Sequence, residues 1–260
     1  MSDKTLPRDI TSYDLLKLFA VLTMVIDHFG VYFFPDELWW RVIGRLSFPV
    51  WLFLVGYARS RDISPRLMIG AGIVFVSNIF AGMGIIPLSI LVTIIVVRLG
   101  LDRLMKILSK SPVHLWAGSA ALLILALPSY IVMEFGLQAF IFAGFGYLAR
   151  RREDEGRVFQ YAVFACLGYV FLQSFSYGLF GMKFVVLAAG MALVSAALYK
   201  FEPKTYPEMT KDMSAAGRWF VQFCGRRTLE IYVGHLVLFK TIAVLAGVEG
   251  YEFMNWGWVW

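Results

Sequence analysis

The chain has 260 residues, 59% of them hydrophobic and 17% aromatic, with a formal net charge of +6. A mean hydropathy of +0.70 excludes a water-soluble globule, and runs of ~18–22 residues low in charge recur along the whole length. The positive charge lies in short loops, so it reads as a topology signal rather than affinity for nucleic acid, and two cysteines, Cys166 and Cys224, give no disulfide framework.

Residues 1–12 are polar and basic, with Lys4 and Arg8, and are expected on the cytoplasmic surface. The apolar run that follows carries Asp14, Lys17, Asp27 and His28 and has no small-residue cleavage site behind it. It therefore reads as a retained first membrane helix. Helix 1 is expected at about 13–34, ended by Pro35, and helix 2 at about 38–58. Helices 3 and 4 are expected at about 66–83 and 86–101, with Gly84 and Pro87 between them. Helix 5 covers about 113–130 with a break near Pro128, and helix 6 about 133–149. Helices 7 and 8 take about 158–177 and 182–199. A long polar connection, 200 to about 218, leads to helix 9 at about 225–248 and an aromatic tail.

The count of nine rests on charge alternation. With the N-terminus inside, the inner segments hold seventeen of the 24 Lys and Arg, and the outer connections hold Lys183. That asymmetry is the positive-inside pattern, and no even count reproduces it. Residues 1–260 thus read as one all-α, polytopic transmembrane domain without an internal repeat. Ala188, Ala192 and Ala196, and likewise Ala139 and Ala143, recur at four-residue spacing, which suits close helix packing in lipid.

Against this background the ionisable groups at depth stand out. Asp27 and His28 lie in helix 1, and Arg41 and Arg45 share a face of helix 2. At 1.5 Å per residue His28 is about 9 Å from the outer end of its helix, and Arg41 and Arg45 fall at similar depth. Such groups cost at least about 2.5–3.5 kcal/mol each at the helix centre, so they pair or line a wet cavity. Pro49 offers no N–H to the carbonyl of Arg45 and frees a backbone acceptor there. A structural salt-bridge cluster fixing helix 1 against helix 2 would account for Asp27 and the arginines, and Arg41 could instead snorkel outward. An imidazole, in contrast, is suited to taking and returning a proton near neutral pH. Asp27 could orient that ring, or could reach Arg45 instead, since adjacent helical residues diverge by about 100°.

A second constellation opens helix 9. Arg226 and Arg227 stand at its inner mouth, and Tyr232 and His235 share a face one turn apart, with His235 about 10–12 Å deep. His114, at a helix start, reads as interfacial, and Glu134, near the outer start of helix 6, as a capping carboxylate in preference to a substrate contact. The three histidines and two cysteines are not at metal-ligand spacing, so no metal is expected.

The run from Tyr13 to Lys17 leading to Met24-Val25-Ile26-Asp27-His28-Phe29-Gly30, followed by Arg41-Val42-Ile43-Gly44-Arg45-Leu46-Ser47-Phe48-Pro49, resembles the TraX family of membrane acetyltransferases. The stretch Thr228-Leu229-Glu230-Ile231-Tyr232 through His235 resembles that family's last helix and, more loosely, other polytopic acyltransferases. The intervening helices match in hydropathy only. The resemblance implies a multi-pass enzyme of the bacterial inner membrane that draws acetyl from cytoplasmic acetyl-CoA. Its type acceptor is the N-terminal amine of a conjugative pilin subunit. It also implies catalytic roles for His28, Asp27, Arg45 and Arg41. On this reading Arg226, Arg227, Arg59 and Arg61 would hold the phosphates of CoA, and Tyr232 and His235 would flank its pantetheine arm. His28 would serve as base or as nucleophile. O-acylation of a cell-envelope glycan would use the same groups, and a proton-coupled transporter is a reading from another class, although such carriers often show inverted repeats.

Overall fold

Thr11 and Asp14 start the first helix. In the computed structural model, which describes residues 7–258, Thr11 Oγ1 accepts from the Asp14 N–H at 3.2 Å. Asp14 Oδ2 accepts from the Thr11 N–H at 3.0 Å. This reciprocal cap satisfies two otherwise orphaned donors and opens α1 (Ser12–Phe33). The chain continues through α2 (Trp39–Gly44), α3 (Ser47–Tyr57), α4 (Pro65–Phe80), α5 (Ile90–Leu108), α6 (Pro112–Ile124) and α7 (Ala126–Ser129). It ends with α8 (Gln138–Arg151), α9 (Glu155–Tyr177), α10 (Met182–Tyr199), α11 (Pro207–Asp212), α12 (Ala215–Arg226) and α13 (Thr228–Leu245). Among the described residues there is no strand, only isolated bridges at Thr11–Thr205 and Leu88–Met133.

Among the described residues four helices, α1, α9, α10 and α13, are long and apolar enough to cross a membrane. Of the other segments, α5 has 19 residues but carries Arg98, Asp102, Arg103 and Lys106, and the rest are shorter or divided. The second expected helix is two pieces, α2 and α3, meeting at Arg45 and Leu46. Pro49 permits the division. It sits in the first turn of α3, where its missing N–H breaks no bond of that helix. The acceptor freed on Arg45 is taken by the Tyr169 hydroxyl, which donates to it at 2.6 Å. The fifth expected helix is likewise split, into α6 and α7. The polar connection after Tyr199 holds two helices that hydropathy does not show, α11 and α12.

The centre is α8, buried at every position from Gln138 to Tyr147. It lies against α3 at backbone distance: a Cβ on Gly56 would overlap the Ala143 carbonyl, and one on Gly146 the Phe53 carbonyl. Ala139 and Ala143 are fully buried at this contact, as their spacing anticipates. The other small-residue stripe behaves differently. Ala192 and Ala196 are exposed, and α10 buries Leu187, Met191, Val194, Ser195 and Leu198 instead. Around this centre α1 packs against α2, α3, α12 and α13, which brings the first and last helices together.

Candidate active site

The helices around α1 leave a cavity of about 820 Å³ between them. Along α1 it is lined from Tyr13 and Lys17 to Tyr32, about 28 Å at 1.5 Å per residue, close to the thickness of a bilayer core. One end carries Lys17 and Arg98 and reaches Asp62 and Ser64, both exposed. The opposite end holds Arg41, Arg45 and Glu134. There a second, smaller cavity of about 260 Å³ adjoins it. Val31, Tyr32 and Arg41 line both.

Asp27, Arg41 and Arg45 meet because Gly44 has no side chain: a Cβ there would overlap Asp27 Cβ. Arg41 donates to Asp27 Oδ2 at 2.9 Å, and Arg45 Nε lies 4.0 Å from Asp27 Oδ1. The Arg45 guanidinium sits 4.8 Å above each of the Phe135 and Tyr177 rings and also bonds the Tyr177 hydroxyl. Its charge is thus held by one carboxylate and two π-faces. Asp27 is committed to the arginines, so it does not orient the ring of His28.

His28 faces the last helix. Its Nδ1 is 2.7 Å from His235 Nε2, and His235 Nδ1 is 2.6 Å from the Ile231 carbonyl. The rings stack at 4.9 Å, and Tyr232 stands edge-on to both at 5.8 Å. His28 and Tyr232 line the cavity, whereas His235 lies behind His28. The expected contact of His235 with a pantetheine arm therefore gives way to one with the other imidazole.

The four arginines expected at the phosphates do not line the cavity. Arg226 bridges Asp14 at 3.2 Å and donates to the Pro7 and Asp9 carbonyls, tying α12 to the start of α1. Arg61 donates to the Val55, Gly56 and Ala58 carbonyls at the end of α3 and pairs with Asp102. Those carbonyls are the unsatisfied acceptors of a helix C-terminus. Arg59 and Arg227 are exposed outside the cavity. Lys17 and Arg98 occupy the mouth in their place.

Glu134 caps a helix, as expected of it, but the helix is α5: its Oε2 accepts from the Ile90 N–H at 2.8 Å. His114 is exposed beside Ser111. Tyr177 and Lys240 are among the cavity-lining residues not singled out from sequence. Tyr177 clamps Arg45. Lys240, 3% exposed, donates to Ser77 Oγ at 2.7 Å and Asn78 Oδ1 at 2.5 Å. Lys240 had a sequence signal, an ammonium inside the run Val237-Leu238-Phe239-Lys240-Thr241-Ile242. Tyr177 had none, because a tyrosine near a helix end reads as an interface anchor. Among the described residues no three His, Cys, Asp or Glu side chains group as a metal site.

A 48-residue stretch is 50% identical to the uncharacterized protein RP591 of Rickettsia prowazekii (strain Madrid E), covering 18% of this chain and 19% of that protein. The chain thus spans about a fifth of the length of that curated relative. No solved structure matches. The family described as "TraX protein" matches residues 12–243, which takes in α1, the cavity and nearly all of α13. The chain belongs to the TraX protein family.

Proposed function

We propose that this protein is a multi-pass acetyltransferase of the bacterial cytoplasmic membrane, moving acetyl from cytoplasmic acetyl-CoA to an acceptor at the outer face. The observation that carries the reading is the cavity, which runs the length of α1 with His28 on its wall and two cations at one mouth. Family membership supports a pilin-related acceptor, and an N-terminal amine is the first one to try. The distribution of Lys and Arg supports nine membrane segments with the N-terminus inside. On that orientation the mouth with Lys17 and Arg98 is the cytoplasmic one and receives the nucleotide of CoA.

The chemistry is acyl transfer. The neutral acceptor amine attacks the thioester carbonyl, the new C–N bond forms and the C–S bond breaks. His28 takes the proton the amine loses and returns it to the departing thiolate. Arg45, with Arg41, stabilises charge on the carbonyl oxygen.

The test is turnover of acetyl-CoA with a pilin-type N-terminal peptide by purified protein. Replacing His28 with Ala is expected to lower kcat by about 10²-fold or more. Wild-type turnover by a folded His28→Ala protein would end the proposal. A hydroxyl acceptor is separated by its product, because hydroxylamine cleaves an ester and leaves an amide. A cavity that runs the length of α1 would also suit a carrier. Stabilisation of the detergent-solubilised protein by acetyl-CoA is the expected result for the enzyme, and none is expected for a carrier.

A further inference from the structure

We propose that His235 is a positioning residue that fixes the tautomer of His28 and makes Nε2 the working nitrogen of that ring. The inference rests on the acetyl-transfer reading of the cavity and follows from the direction of two hydrogen bonds. The Ile231 carbonyl can only accept, so His235 Nδ1, 2.6 Å away, carries a hydrogen. In a neutral imidazole the other nitrogen is then an acceptor, so His235 Nε2 presents a lone pair to His28. The hydrogen between the rings, spaced at 2.7 Å, belongs to His28 Nδ1. What remains on His28, a ring that lines the cavity, is an unprotonated Nε2. The reverse arrangement would set the His235 Nδ1 lone pair against the Ile231 oxygen.

The surroundings leave this task to an imidazole. Tyr232 and Phe239 wall the pair edge-on. Arg41, Arg45 and Lys240 line the same cavity as His28. Asp27, the carboxylate adjacent in sequence, is turned to Arg41. Among the described residues neither ring accepts or donates a hydrogen bond to a carboxylate. A backbone carbonyl on α13, acting through His235, therefore sets the ring on α1. When His28 Nε2 takes the acceptor's proton, the hydrogen on Nδ1 is already directed at His235 Nε2, so the pair shares the positive charge until the thiolate removes the proton.

The test is the tautomeric state of both rings in full-length protein labelled with ¹⁵N-histidine, together with steady-state kinetics. Both rings are expected as the Nδ1–H form. In His235→Leu the acceptor is gone. His28 should leave that form, and kcat should fall about 10²-fold with the KM for acetyl-CoA unchanged. Gln places an amide oxygen where His235 Nε2 stands, so His235→Gln should restore the His28 signal and recover most of the rate. Finding His28 as the Nε2–H form in wild type, or unchanged in His235→Leu, would overturn the inference. The spectra report on it even if no acceptor is turned over, so its failure is distinct from failure of the acetyltransferase reading.

Discussion

At the residue scale the site was legible where charge contradicts its surroundings. Asp27, His28, Arg41 and Arg45 are ionisable groups in apolar runs, and the structure gathers all four on one cavity wall. A buried charge that loses its partner costs more than the pair gains. Asp27→Asn should therefore lower stability by about 3 kcal/mol, measured by denaturation in detergent. Neutralising the cation as well, in Asp27→Asn with Arg41→Gln, should recover part of that loss. The pairing itself was less legible. Asp27 and His28 are neighbours in sequence but point apart, and they find partners on α2 and α13 respectively. Which ring His28 meets depends on the rotation of two helices some two hundred residues apart, and no local periodicity encodes that. Arg61 and Arg226, expected at the phosphates, stand outside the cavity for a related reason. Each lies at a helix end, and the carbonyls and carboxylate it neutralises come from the fold itself.

At the element scale hydropathy located α1, α9, α10 and α13 to within a few residues. It did not show the division between α2 and α3, which Pro49 alone would not force. Pro49 freed the acceptor on Arg45, and α9 supplied the donor, Tyr169. Tyr169 is fully buried, so Tyr169→Phe should cost about 1–3 kcal/mol for the stranded carbonyl. Pro49→Ala provides an N–H four residues after Arg45, and in the Tyr169→Phe background it should return part of that stability. A thermal-melt cycle of the four proteins measures the coupling. The helix α12 was hidden because its sequence is amphipathic. Arg218 and Gln222 read as loop, while Val221 and Cys224 are buried and Trp219 and Phe223 are exposed.

At the scale of the whole molecule, all-α organisation and apolar character were legible from composition, and the cavity was not. Empty space is set by how helices splay, and residues as distant as Tyr13, Arg98 and Lys240 border it. The mouth can be assigned a side by labelling. In a background with Cys166 and Cys224 replaced by Ser, Ser64→Cys should react with a membrane-impermeant maleimide only from the cytoplasmic face, and acetyl-CoA should slow the reaction. Reaction from the opposite face would invert the proposed orientation. One further consequence attaches to Val31, Tyr32 and Arg41, the wall common to the two cavities. If donor and acceptor meet at that shared wall, the nucleotide never has to leave the cell. Under the proposed acetyl transfer, the cargo that changes compartments is then a two-carbon fragment, uncharged and already activated. The energy of a thioester made inside could then drive a modification on the far side, where no such donor exists.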